Sequence, residues 1–213
     1  MEPDHTKKHR GSEKLWLDAA FSLLKESGVE AVKVMPLARR LGLSRTSFYW
    51  HFKDRDSLLE AIIRRWENQN TGNLIARTCA PAASISEAMF NLFDCWLDEG
   101  LFDGSLDLAI RNWARNNSTL QKRLDHEDRR RCEAVTAMYR RFGFSEPQAR
   151  ARSMTVIYTQ IGYLSMQVIE NWQERISRMP DYVEVYTGSS PTKAEIARFL
   201  ARHENREPNP AWK

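Results

Sequence analysis

The 213-residue sequence predicts an all-α protein with two domains, and two observations carry this prediction. Apolar residues recur at intervals of three and four along most of the chain, which is the period of an amphipathic helix. The helix-start pattern Ser/Thr-x-x-Glu/Gln occurs four times in the second half, at Ser84, Ser118, Ser145 and Thr192. We therefore expect a helical N-terminal domain over residues 1–66 and a helical C-terminal domain over residues 67–213.

Two helices are predicted at the start of the N-terminal domain. Apolar positions at helical spacing indicate a first helix over residues 12–27, and Gly28 follows where a glycine ends a helix at little cost. A second helix is predicted to begin near Val34 and Pro36. Proline lacks a backbone N–H, but in the first turn of a helix that N–H would have no acceptor within the helix. Neither Ser, Thr nor Asp caps this second helix, which ends at Gly42.

The next stretch predicts a tight turn and a third helix. Ser44 can accept a backbone N–H as N-cap, while Phe48 and Phe52 are spaced to point inward. The remaining face carries short polar side chains, rings and one Arg, which suits DNA base edges and phosphates: Arg45, Thr46, Ser47, Tyr49 and His51. Asp54 is a cap for a fourth helix that runs through Trp66 and frays near residues 70–73.

The distribution of charge separates the two domains. Residues 1–66 hold 13 Lys and Arg against 9 Asp and Glu, whereas the remainder holds 19 of each sign. The whole net charge of +4 therefore lies with the predicted groove-reading helices, as expected if only this domain meets a polyanion. The basic leader Lys7-Lys8-His9-Arg10 reads as a solvated segment or as a minor-groove arm.

Five helices are predicted for the C-terminal domain, over residues 84–99, 106–116, 118–142, 145–177 and 192–204. The longest is apolar or small around most of its middle circumference, so it requires a second partner, such as another copy of the chain. Gly162 would permit close approach of that partner, or mark a bend. Tyr182 to Tyr186 alternates like a strand and is predicted as an extended connection, and residues 206–213 as a disordered tail.

Several classes of function are disfavoured. Three widely spaced cysteines predict a reduced, cytoplasmic protein, and neither a signal peptide nor a membrane span is found. The acidic run from Asp125 to Asp128 cannot converge on a metal, because adjacent helical residues point in different directions. Sequence motifs of hydrolases, metalloproteases and nucleotide-binding loops are missing, so the protein is not expected to be an enzyme or to need a cofactor.

The N-terminal domain resembles the TetR family of bacterial transcriptional regulators. The resemblance is carried by Leu37-Ala38 before the turn, Gly42-Leu43-Ser44 in it, Phe48-Tyr49-Trp50-His51-Phe52, Arg55 and Leu58-Leu59. It implies a repressor that binds a palindromic double-stranded DNA operator as a homodimer. An unidentified small-molecule effector would bind the C-terminal domain and release the operator.

The resemblance also assigns roles by position. It places Arg45, Thr46 and Ser47 on base edges, and Tyr49, His51 and Arg55 on phosphates. Three of these assignments have a structural alternative: Arg45 as a solvated cation, Tyr49 as a core ring, and His51 as a helix-end cap. Val34 and Met35 replace polar residues of many relatives, so the second helix is expected to contribute few contacts.

Five residues of the C-terminal domain are candidates for lining an effector pocket: Trp96, Trp113, Tyr158, Gln160 and Tyr163. Pockets between helices are lined by rings and a few polar groups, although rings at helical spacing also form ordinary cores. The alternative function is a helical small-molecule-binding protein or enzyme whose N-terminal helices contact another protein.

Overall fold

The computed structural model describes residues 11–204, and every regular element in that range is helical. The all-α fold class is confirmed. The basic leader at residues 7–10 and the tail at 206–213 lie outside the described residues. None of the helices between residues 11 and 204 combines the length and apolar composition needed to cross a bilayer.

The first compact unit contains the predicted N-terminal helices. These are α1 (Glu13–Ser27), α2 (Val34–Leu41), α3 (Arg45–Phe48) and α4 (Arg55–Trp66), with a single 3₁₀ turn at Val29–Ala31. Ser12 Oγ accepts from Leu15 N at the start of α1, and the predicted cap Asp54 forms a reciprocal capping box with Ser57 at the start of α4. Side-chain capping of α2 is indeed missing, as expected. The core of this unit is formed by Trp16, Leu24, Leu37, Phe48, Leu58, Ile62 and Trp66.

Residues 105–121 belong to the same compact unit, although the sequence analysis assigned them to the C-terminal domain. This segment contains most of α7 (Gly104–Ala114). A buried carboxylate explains the grouping: Asp107 Oδ1 accepts from Trp66 Nε1 at 2.8 Å, and Oδ2 accepts from Arg111 Nε at 2.8 Å. A buried charge requires such donors, and one of them comes from α4. The predicted domain boundary at residue 66 therefore remains a prediction about function. The compact unit that contains the N-terminal helices also includes residues 105–121.

Within the described residues, the second unit comprises residues 68–104 and 122–204, and its centre is α6 (Ile85–Leu97). Nearly every side chain of α6 is buried, and α5 (Asn73–Thr78), α11 (Met179–Thr187) and α12 (Lys193–Ala201) pack against it. Phe90 stacks on Phe199 with ring centroids 4.4 Å apart. The helix-start pattern at Ser84 and the capping box at Thr192 both form. Helix α8 spans Ser118–Arg141, close to the predicted bounds.

The predicted single helix over residues 145–177 is wrong. Helix α9 covers Glu146–Ser165, and α10 covers Trp172–Ser177. Gln167 between them has a left-handed φ of 50°, and Asn171 Oδ1 caps α10 by accepting from Gln173 N at 2.8 Å. The apolar pattern predicted one continuous helix because Met166 and Ile169 continue its helical spacing of apolar residues. In the structure both side chains are exposed.

Two further predictions are wrong. The predicted extended stretch 182–186 lies within α11, where Val183 and Tyr186 are buried three residues apart and Val185 is 70% exposed. Burial thus follows the helical period, not the alternation. Residues 67–72 do not fray but form a π-helical turn that buries Asn70, whose side chain bonds Asp103 N and O, each at 3.0 Å.

Replacing Trp66 by Phe tests the link between α4 and α7. The Phe ring cannot donate to Asp107, so we expect the free energy of unfolding to fall by about 1.5–3 kcal/mol, the range for hydrogen bonds to charged groups. Urea denaturation at one fixed protein concentration measures the change. The control is Trp50→Phe at an exposed position, expected to stay within about 0.5 kcal/mol of wild type. Equal losses in both variants would contradict the proposed role of Asp107.

Candidate functional site

The predicted turn between α2 and α3 is formed as expected. Gly42 has a left-handed φ of 63°, and Leu43 N donates to Ala38 O at 2.9 Å to close the turn. Ser44 Oγ accepts from Ser47 N at 3.2 Å and begins α3. Helix α3 has only four residues, and the chain then continues in turns up to Phe52.

Aromatic packing fixes the orientation of α3. The Phe48 ring is fully buried, 5.3 Å from the Trp16 ring centroid and 5.5 Å from that of Phe52. Both phenylalanines therefore point inward, as predicted. Their burial leaves Arg45 and Thr46 exposed on the outer side of α3.

Arg45 and Tyr49 form a pair on this outer surface. The Arg45 guanidinium donates to the Tyr49 hydroxyl at 3.1 Å and lies 5.6 Å from its ring centroid. Tyr49 is exposed, and Trp50 beside it is 64% exposed. Trp50 was not among the predicted residues. The sequence nevertheless indicated exposed rings in this stretch, because residues 48–52 contain four Phe, Tyr or Trp rings, and one buried helix face cannot accommodate them all.

The structure does not bring every predicted DNA-contacting residue to this surface. Ser47 is only 6% exposed, because it precedes Phe48 on the side of α3 that faces the core, so its predicted base contact is not supported. His51 is half-buried. Lys33, Arg39 and Lys53 add exposed positive charge to the same unit.

Arg55, predicted to contact a phosphate, also makes hydrogen bonds within the first unit. Its Nε donates to Val32 O at 2.6 Å and its Nη2 donates to Val29 O at 2.8 Å. The guanidinium thus ties the start of α4 to the backbone before α2. The half-buried guanidinium thus uses two of its five N–H donors inside the unit.

Three of the five predicted effector-pocket residues do come together in the second unit. Trp96, Gln160 and Tyr163 line a cavity of about 50 Å³, together with Phe93, Thr159, Glu170, Arg175, Met179, Tyr182 and Tyr186. The other two lie elsewhere. Trp113 is on α7 in the first unit, and Tyr158 is exposed on another face of α9, since five residues correspond to about 140° around a helix from Tyr163.

Polar groups meet at one side of this cavity. Arg175 donates through Nη1 to the Tyr163 hydroxyl at 3.2 Å and through Nη2 to Trp96 O at 3.0 Å. The Tyr163 hydroxyl donates to Glu170 Oε1 at 2.8 Å, and Glu170 also pairs with Arg178. Burial raises the pKa of the Tyr163 phenol, so it remains a neutral donor.

Sequence reasoning missed Arg175 and Glu170. Both residues lie within the helix that was wrongly predicted to continue to residue 177, and no local sequence motif marks either of them. Between residues 11 and 204, no group of three or more His, Cys, Asp or Glu side chains is arranged to hold a metal ion.

The N-terminal helices are similar in sequence to known proteins. Residues 17–62 match the model for bacterial regulatory proteins of the tetR family. The tetracycline repressor protein class D of Escherichia coli is 39% identical over 46 residues, which cover 22% of this chain and 21% of the repressor. The aligned part is thus about a fifth of that relative's length.

Solved structures extend the similarity in fold to most of the chain. A transcriptional regulator from Rhodococcus sp. Rha1 superposes with a TM-score of 0.59 at 20% identity, covering 90% of this chain and 97% of that one. The fatty acid degradation regulator FadR from Bacillus halodurans gives a TM-score of 0.61 at 14% identity, over 86% and 97% of the two chains. At such identities the superpositions show a shared fold, while the match at residues 17–62 is specific to the sequence. Residues 17–62 are thus similar in sequence to the helix-turn-helix domain of bacterial regulatory proteins of the tetR family.

Proposed function

We propose that the protein is a DNA-binding transcriptional regulator, a repressor that binds a palindromic operator as a homodimer. Residues 1–66 bind DNA, and residues 67–213 bind a small-molecule effector and form the dimer. The exposed pair formed by Arg45 of α3 and Tyr49, which follows α3 directly, is the observation that carries this proposal. The sequence match to a tetracycline repressor supports it.

The DNA surface is narrower than the sequence motif implies. Arg45 and Thr46 read base edges, because an exposed Arg matches the O6 and N7 acceptors of guanine. Tyr49 and His51 contact the phosphate backbone. Trp50 joins this surface as an exposed ring beside Tyr49, whereas Ser47 and Arg55 support the motif from inside.

The dimer is proposed to form through α8 and α9. Met154 and Tyr158 are exposed large side chains on α9, and they border the same groove as Arg129 and Arg140 of α8. A Cβ atom at Gly162 would meet no atom within 4 Å, so this part of α9 is open to a neighbour. Two recognition helices in a dimer would meet half-sites about 34–36 Å apart.

Selection from random duplex DNA tests the function as a whole. We expect the selected sequences to form an inverted repeat, because two identical domains read two half-sites. Affinity for the selected duplex, measured by fluorescence anisotropy, should fall steeply as salt rises, since binding releases counterions. Weak binding to all duplexes alike, independent of salt, would refute the proposal and favour a protein partner for the N-terminal helices.

The base-reading role of Arg45 is tested by Arg45→Ala on the selected duplex and on a variant with one changed base pair. We expect a loss of about 1–3 kcal/mol on the selected duplex, equivalent to about 5- to 150-fold, and a smaller difference between the two duplexes. The matched control is Arg64→Ala, which removes one exposed cation from α4. If both variants lose the same affinity and keep full discrimination, Arg45 supplies only charge.

The role of Arg55 is tested by Arg55→Ala. Two backbone carbonyls lose a charged donor, so the free energy of unfolding should fall by about 1.5–3 kcal/mol in urea denaturation. Arg64→Ala, at an exposed ion pair, should lose much less. A phosphate contact would give the opposite pattern, with unchanged stability, weaker DNA binding and a salt dependence reduced by about one charge.

A further inference from the structure

The cavity between α6, α9, α10 and α11 contains an unused hydrogen-bond donor. Trp96 lines this cavity and is 8% exposed, and its indole Nε1 has no hydrogen-bond partner among residues 11–204. The backbone carbonyl of the same residue is bonded to Arg175. A buried donor is costly unless it finds an acceptor, so an acceptor on a ligand would be favoured here.

The charges around the cavity favour an anion. Its charged lining residues are Arg175 and Glu170, and Glu170 is paired with Arg178. The guanidinium of Arg175 is thus the cation that lines the cavity. Burial lowers the pKa of Arg175, and the contributions that oppose this lowering come from the phenols of Tyr163 and Tyr182. A carboxylate would compensate the buried cation far better than a phenol does.

The remaining walls and the volume define the rest of the ligand. Phe93, Tyr186 and Tyr182 line the cavity, and the last two rings are stacked 5.9 Å apart at an interplanar angle of 15°. A volume of about 50 Å³ is well below the roughly 300–1,000 Å³ of pockets for drug-sized ligands. Since one water needs about 10–15 Å³, the cavity accommodates only a few non-hydrogen atoms. Tyr182 is 38% exposed, so its ring has room to move outward for a larger ligand.

We propose that this cavity binds a small organic monocarboxylate. Its carboxylate accepts from the guanidinium of Arg175 and from Trp96 Nε1, and its short apolar body lies against the rings of Phe93 and Tyr186. Tyr163 and Trp96 O hold the guanidinium in place for this contact. The inference rests on the proposed function in one respect, since the carboxylate would be the effector that releases DNA.

The test compares each carboxylate with its neutral amide: acetate with acetamide, and propionate with propionamide. Binding is measured by calorimetry on the full-length protein. We expect the better carboxylate to bind at least about tenfold more tightly than its amide, the difference that one hydrogen-bonded charge provides. Equal affinities, or no binding of either carboxylate, would overturn the proposal.

Two variants separate the ligand contact from a structural role. Trp96→Phe keeps a buried aromatic ring but removes the indole N–H together with its five-membered ring, so we expect carboxylate binding to weaken about tenfold. The matched control is Trp172→Phe, a buried tryptophan of the same unit that does not line the cavity, expected to leave both affinities within about twofold. Equal weakening in the two variants would refute a contact at Trp96.

DNA binding distinguishes the two proposals. Without a carboxylate, Trp96→Phe should bind the selected duplex like wild type, and the carboxylate should release wild-type protein from DNA at concentrations about tenfold lower than it releases the variant. A protein that binds DNA but does not prefer carboxylate over amide would overturn only the cavity inference. One that prefers carboxylate but binds no DNA would overturn only the regulatory function.

Discussion

Burial of the Phe48 ring is the constraint on which the candidate DNA surface depends. Helix α3 has four residues, far fewer than an isolated helix needs to be stable in water. Its position therefore comes from tertiary packing of Phe48 against Trp16 and Phe52. Once that ring is inside, Arg45 and Tyr49 have only the outer side available, where they pair with each other. The polar surface is thus a consequence of the apolar contact beneath it.

The same packing determines where the side chains of the matched motif lie. A sequence motif fixes the order of residues along the chain, but it does not fix how each side chain is used. Ser47 and Arg55 match the family pattern, yet one is buried beside Phe48 and the other donates to the carbonyls of Val29 and Val32. Trp50, which received no role, is among the most exposed rings. Orientation within a four-residue helix cannot be obtained from spacing alone.

The cavity of the second unit depends on an interruption that the apolar pattern conceals. The chain leaves the helical path after Ser165, passes through left-handed Gln167 and restarts at the cap Asn171. This break returns Arg175 to the Tyr163 side chain, twelve residues earlier in the chain. In a continuous helix, twelve residues would separate these positions by about 18 Å along the axis. The break thereby creates the polar side of the cavity.

The sequence by itself determined the helical class, most helix starts and the turn at Gly42, because caps and turns use bonds between residues three or four apart. Ser44 and Asp54 cap helices where the sequence predicted. Tertiary structure alone decided the packing of residues 105–121, which of the candidate rings share a cavity, and the pairing of Arg175 with the carbonyl of Trp96, 79 residues away. Such contacts depend on which buried polar groups must find partners, and those partners are distant in sequence.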